Sequence, residues 1–322
     1  MKMSPVTPKD LRGSVIAVPP LARRSDGTCA SEENLALLNH MKEGGITSFM
    51  YGGNANFYNL GVTEFGQVVD DLSTHLNADE WLIPGVGADF GKAREQLAML
   101  TERAFPTAMV LPLRFPSSAK GVATGLRKLA DSFGKPLIAY LKDDGYISEN
   151  DLTALVKDGA VCAIKYAIVR EDPRQDAVLS SLVQSIGTDI IISGIGERPV
   201  VDHFRDFGLR SFTSGSGCVA PALASAIRIA LMDGNLELAE ELREKFIPLE
   251  NARDNYSPIR VLHSAVEAAG IATTGPLGEF LSVLDDPAQI HETACAAIDL
   301  VEFNRYALMG AAPMNKVCRQ LA

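Results

Sequence analysis

The chain has 322 residues, 47% of them hydrophobic and 22% charged, enough for one large domain or two ordinary ones. Its 30 Lys and Arg against 40 Asp and Glu leave a net charge of −10. That argues against nucleic acid or an anionic membrane as partner, since both repel a broadly negative surface. No stretch reaches the roughly 18 uninterrupted apolar residues of a membrane helix, and the opening MKMSPVTPKDLRGS lacks the apolar core of a signal peptide.

In chain order, the first candidate strand is GSVIAVPP (13–20), followed by the helical pattern SEENLALLNHMKEGG (31–45), with Ser31 as N-cap and Glu32 and Glu33 in the first turn. ITSFMYGG (46–53), EWLIPGVGA (80–88), TAMVLPL (107–113) and PLIAYLKD (136–143) are the next strands. SENDLTALVKDG (148–159) is a helix capped by Ser148 and stopped by Gly159. VCAIKYAI (161–168), DIIISGIG (189–196) and LRSFTSGSG (209–217) complete eight strands, and a helix begins near Pro221. The runs are almost continuously apolar, as in a parallel sheet covered on both faces.

Beyond residue 234, NLELAEELREKFIPLENARDN, SPIRVLHSAVEAAG and DPAQIHETACAAIDLVEFNRYAL carry helical spacing without strands between them, bounded in part by Pro258 and Gly270. The expected architecture is an α/β chain: a (β/α)8 TIM barrel over 1–234 carrying the active site. A C-terminal appendage of about three helices, 235–322, packs on it as part of one continuous unit. An open doubly wound sheet is the rival, but GSVIAVPPLARRSDG lacks its dinucleotide-type glycine turn.

The five cysteines, Cys29, Cys162, Cys218, Cys295 and Cys318, include no CxxC pair, which excludes a zinc knuckle or dithiol motif. Cys162 and Cys295 sit in apolar runs and read as small core residues. A reducing cytoplasm is the expected compartment. The five histidines form neither HxH nor HExxH, so no metal site is expected.

In a barrel, chemistry sits at the C-terminal ends of the strands. Lys165 lies inside the apolar run of the sixth strand, where burial would lower its pKa and make the amine nucleophilic; pairing with a carboxylate is the plainer alternative. Tyr140 has the same late position on the fifth strand and could relay protons, or simply pack. The Gly52-Gly53-Asn54-Ala55 turn lets backbone N–H groups converge on an anion, or is only a tight turn. Gly194 and the Ser214-Gly215-Ser216-Gly217-Cys218 stretch either hold a phosphate near a helix N-terminus or make room for substrate or packing. Arg114, Lys142 and Arg198, at or after strand ends, are candidates for a second, distal anionic group, against the plain alternative of solvated surface charge.

With these residues in place, the chain resembles the dihydrodipicolinate synthase / N-acetylneuraminate lyase family of class I aldolases over nearly its whole length. The supports are the glycine turn followed by Phe57 and Leu60, PGVGA (84–88), Tyr140, the Ile164-Lys165 pair, GSGCVAP (215–221) and SPIRVLHSAVEAAGI (257–271). The resemblance implies that Lys165 forms a Schiff base with a 2-oxo acid, pyruvate or a 2-keto-3-deoxy sugar acid, and that Tyr140 shuttles protons. It further implies that Gly53, Asn54 and Ala55 bind the substrate carboxylate, that no cofactor is needed beyond the imine, and that the chain forms a homotetramer or homodimer. Gly194, Ser216, Cys218, Arg114 and Lys142 would border the pocket.

Departures from the family pattern are specific. Both threonines of the carboxylate turn are missing. Leu111-Pro112-Leu113-Arg114-Phe115 lacks the relay tyrosine of the lysine-biosynthesis members, Gly145 stands at their arginine position, and Cys218 at the asparagine after strand eight. Aldolase and dehydratase outcomes therefore precede true dihydrodipicolinate synthase. A silent sugar-acid-binding barrel and a phosphate-binding barrel are the readings from other classes.

Overall fold

The computed structural model describes residues 1–309, so Cys318 and the end of the 235–322 segment lie outside the described residues. All eight expected strands form: β1 Ile16–Ala17, β2 Ser48–Tyr51, β3 Trp81–Val86, β4 Met109–Val110, β5 Leu137–Leu141, β6 Val161–Tyr166, β7 Ile191–Ser193 and β8 Thr213–Ser214. They pair in parallel, in the order β7-β6-β5-β4-β3-β2-β1-β8. A parallel bridge between Ser193 and Phe212 brings the sheet back on itself. Neighbours in sequence are neighbours in space, which is a TIM barrel and not an open doubly wound sheet. β1 and β4 are short because Pro19, Pro20 and Pro112, just past their ends, bring no N–H to a ladder.

Helices α1 Pro8–Gly13, α2 Ser31–Glu43, α3 Val62–Thr74, α4 Phe90–Glu102, α5 Ala119–Phe133, α6 Glu149–Lys157, α7 Ala177–Ile186, α8 Val200–Phe207 and α9 Pro221–Met232 precede or follow the strands. Ser148 caps α6 as expected, its hydroxyl accepting from Asp151 N–H, and Gly159 stands in the left-handed region just past its end. Ser31 is not the N-cap of α2: Ala30 is, and the Ser31 hydroxyl is instead engaged with His75 Nε2 at 3.0 Å.

Past α9 there are four described helices and not three: α10 Leu236–Glu244, α11 Ile247–Asn255, α12 Pro258–Ala268 and α13 Pro287–Leu308. Pro248 divides the first expected helix, because its ring and missing N–H are tolerated only in a first turn. Cys295 is exposed on α13 and not a core residue, its thiol 3.7 Å from His291 Nε2 one turn away. The appendage is joined to the barrel by Asn304 of α13, whose side-chain oxygen accepts from Ala222 and Leu223 N–H at the start of α9.

Every strand residue is buried except Tyr140 and Cys162, which are half-buried, and the core fills both the barrel interior and the shell between strands and helices. Trp81, Phe49, Phe65 and Phe212 are among its largest fully buried side chains, each contributing about 1.5–3 kcal/mol of burial free energy. No helix among the described residues is long and apolar enough to cross a membrane.

Candidate active site

Tyr140 on β5 and Lys165 on β6 are register partners, so both side chains stand at one level of adjacent strands. Both line a cavity of about 310 Å³ at the C-terminal end of the barrel. Lys165 is 4% exposed, and its Nζ lies 4.4 Å from the centroid of the Tyr140 ring. Burial in this apolar strand, reinforced by the like charges of Lys142 and Arg253, pushes its amine down to about 7. A substantial share of the amine is therefore neutral and nucleophilic near neutral pH. The Tyr140 phenol is pushed up to about 12 by burial, against the pull of Arg253 and Arg114, and so stays protonated near neutral pH.

Gly53 and Asn54 form the opposite wall, and Ala55 is buried behind them. The N–H groups of Gly53, Asn54 and Ala55 donate to no backbone carbonyl among the described residues, as an anion nest requires. The Asn54 side chain instead donates to Val18 carbonyl at 2.7 Å, tying the turn to the exit of β1. The donors this turn leaves free are therefore backbone amides and not the Asn54 side chain.

Of the other expected pocket residues, Gly194 and Lys142 line the cavity. Arg114 does not: it is exposed and forks onto Asp143 at 2.8 Å. Ser216 and Cys218 are buried beneath the floor, because the turn after β8 closes into a short 3-10 helix, Ser216–Cys218, and faces inward. Burial pushes the Cys218 thiol up, away from thiolate chemistry. Arg198 is bound to Asp254 at 2.8 Å and to Asn251. Gly145 occupies a left-handed turn, and the Tyr146 hydroxyl beside it accepts from Leu113 N–H at 3.3 Å.

The glycines after β7 and β8 make room for side chains. A Cβ on Gly194 would strike the Lys165 stem, and one on Gly215 would lie 2.7 Å from Arg253 Nη2. The α9 terminus, where a phosphate would dock, begins with Pro221, which has no N–H, and its next two donors are taken by Asn304.

Sequence reasoning missed a buried polar cluster that begins in the cavity wall, with Glu250 and Arg253, and continues beneath it. Glu250 and Arg253 project from α11, and Arg253 Nη1 donates to Glu250 Oε1 at 2.6 Å. The Ser216 hydroxyl also donates to Glu250 Oε1, and the Ser214 hydroxyl donates to Glu197 Oε1. Glu197 is fully buried, and its Oε2 has no partner among the described residues. Burial and the neighbouring Glu250 charge hold its carboxyl far above the usual range, so Glu197 is the protonated member of the pair. The available signal was Leu249-Glu250-x-Ala252-Arg253, which places opposite charges at i,i+3 beside apolar residues that face the core.

A wider groove of about 820 Å³ between α4 and α5, bordered by Phe90, Leu113 and Val122, contains neither Lys165 nor Tyr140. Among the described residues no cluster of three or more His, Cys, Asp or Glu side chains could hold a metal ion.

No family model matches the chain. It is 25% identical over 240 residues, 73% of this chain and 70% of the other, to a probable 5-dehydro-4-deoxyglucarate dehydratase of Streptomyces avermitilis. Among solved structures, dihydrodipicolinate synthase from Bacillus clausii superposes with a TM-score of 0.79 at 22% identity, covering 92% of this chain and 98% of that one. A sialic acid aldolase from Ruminococcus gnavus gives 0.77 at 13% identity, over 91% and 99% of the two chains.

Proposed function

We propose that this chain, which resembles the dihydrodipicolinate synthase / N-acetylneuraminate lyase family in sequence and in fold, is a Schiff-base lyase acting on pyruvate or a 2-keto-3-deoxy sugar acid. The observation that carries the reading is the buried Lys165 amine, stacked over Tyr140 in a shared cavity and surrounded by positive rather than negative charge. A silent binding barrel has no use for such an amine, and a phosphate-binding barrel finds its helix terminus already occupied by Asn304.

The C1 carboxylate of the substrate is received by the Gly53–Asn54 turn, which presents C2 to Lys165. The neutral amine adds to the C2 carbonyl, and loss of water gives an imine that withdraws electrons from C3. Removal of a proton from C3, or rupture of the C3–C4 bond, gives the enamine, with the Tyr140 hydroxyl moving protons between substrate atoms. Expulsion of a C4 hydroxyl from the enamine is dehydration; cleavage or formation of C3–C4 is aldolase chemistry. The dehydratase named for the Streptomyces relative supports keto-deoxy sugar acids as the substrate class. The synthase reading lacks support, since Gly145 supplies no cation and Arg114 is committed to Asp143. No cofactor is required beyond the imine. We further propose a cytoplasmic homodimer or homotetramer; four unpaired cysteines among the described residues fit a reducing compartment, and Phe115, 87% exposed, offers an apolar contact between copies.

Reduction with borohydride in the presence of pyruvate, followed by peptide mass analysis, tests the chemistry. An adduct on Lys165 that is missing from Lys165→Ala is expected. No adduct with pyruvate or any longer 2-oxo acid would overturn the reading.

A further inference from the structure

We infer that Arg253, supplied by the C-terminal appendage, is the specificity-determining residue that receives a second carboxylate at the far end of the substrate, so that the preferred substrates are dianionic 2-oxo acids. The inference rests on the Schiff-base reading and deepens it.

Arg253 lines the same cavity as Lys165 yet is 9% exposed, which makes it part of the cavity wall and not a solvated surface charge. Its guanidinium is held at two of its three nitrogens. Nη1 binds Glu250 at 2.6 Å and reaches Ser216 Oγ at 3.4 Å, and Nε points to Pro258 carbonyl at 3.5 Å. Nη2 has no hydrogen-bond acceptor among the described residues. Gly215 is what admits it: a Cβ there would fall 2.7 Å from Nη2 and 2.9 Å from Cζ. A planar guanidinium fixed at Nη1 and Nε and leaving its Nη2 donors over is preorganised to take a second carboxylate.

The surroundings favour an anion. Lys142 also lines the cavity and lends positive charge. Asp254 on its rim is neutralised by Arg198, and protonation of the buried Glu197 leaves Glu250 as the single carboxylate opposing Arg253 in the cluster. The amides of Gly53 and Asn54 are available for the C1 carboxylate, which leaves the Arg253 donors for the distal end.

The test is selectivity of imine trapping. Borohydride reduction is measured as a function of concentration for 2-oxoglutarate against 2-oxopentanoate and for 2-oxoadipate against 2-oxohexanoate, with pyruvate and a phosphorylated keto-deoxy acid as further arms. The native protein should trap one or both diacids on the order of tenfold more efficiently than the chain-matched monoacids. Arg253→Gln should bring that ratio to near one. Arg253→Lys, which keeps the charge against Glu250 but loses the fork, should lower the ratio while its melting temperature reports an intact fold. A pyruvate adduct without diacid preference in the native protein overturns the inference and leaves the Schiff-base reading standing. So does a loss for pyruvate equal to that for the diacids in a folded Arg253 variant, which would place Arg253 at the C1 carboxylate. Preference for the phosphorylated acid alone overturns the carboxylate assignment. No adduct with any acid ends both readings together.

Discussion

A Cβ on Gly194 would meet the Tyr166 carbonyl oxygen at 2.7 Å and Lys165 Cγ at 2.9 Å, so the Lys165 stem occupies space that only glycine leaves open. One of the two obstacles is backbone of β6 and cannot rotate away. Gly194→Ala should therefore cost about 1–3 kcal/mol in denaturant unfolding. By moving Lys165 about 1 Å it should also slow imine trapping on the order of 10²-fold. Ordinary trapping in this variant would mean that β6 and β7 can part without disturbing the site.

The rate of imine formation should rise with pH through a midpoint near 7 and level off above it, following deprotonation of Lys165. Lys142→Met removes a like charge and should move the midpoint upward. The same group fixes a stability trend. In the unfolded chain Lys165 titrates at its ordinary 10.5, so between about 7 and 10.5 the folded state binds fewer protons than the unfolded one. Stability from this group rises with pH across that window, and its full cost is present below 7. Lys165→Met should flatten that slope in chemical denaturation carried out at successive pH values.

Tyr140→Phe keeps the ring beneath Lys165 Nζ and removes only the hydroxyl. Turnover, once a substrate is found, should fall by about 10²–10⁴-fold, with little change in melting temperature. Unaltered turnover would remove Tyr140 from proton transfer and leave it as a packing surface.

Glu197 and Glu250 should respond unequally to the same isosteric change. Glu197→Gln replaces a carboxyl that already carries its proton, and should shift stability at neutral pH by less than about 1 kcal/mol. Glu250→Gln leaves the Arg253 charge uncompensated in a buried place and should cost about 3 kcal/mol. Because the Glu197 proton is held in the folded state above the ordinary 4.5, its contribution is present at low pH and is lost as pH rises through the folded value. Glu197→Gln should lose less stability than the native protein between pH 5 and 9. Equal effects of the two variants would assign the proton wrongly.

The barrel was legible because its signal is repeated: eight apolar runs spaced by amphipathic stretches leave little freedom in how they pair. The placing of Lys165 and Tyr140 side by side in one cavity was legible because both stand late on neighbouring apolar strands, where a lysine conflicts with its surroundings. The Glu197–Glu250–Arg253 cluster was not. Its members lie about fifty residues apart on a loop and a helix, and although Glu197 follows directly on the seventh strand, nothing in its local sequence points to a partner on a helix of the C-terminal segment. The break at Lys245–Phe246 was also missed, although Pro248 announces it, because amphipathic spacing continues across the junction. The Asn54 side chain was not legible either: it donates to the Val18 carbonyl, just past β1, a contact that no local pattern announces.

The hydrogen bonds from Ala222 and Leu223 to Asn304 join residues more than eighty positions apart, at the root of the helix that follows the last strand. α9 cannot shed α13 without baring backbone donors, and α13 cannot leave without uncovering α9. The two regions are thus bound into one cooperative unit, and the chain should melt in a single transition, with amide protons of α9 and α13 exchanging at a common, slow rate.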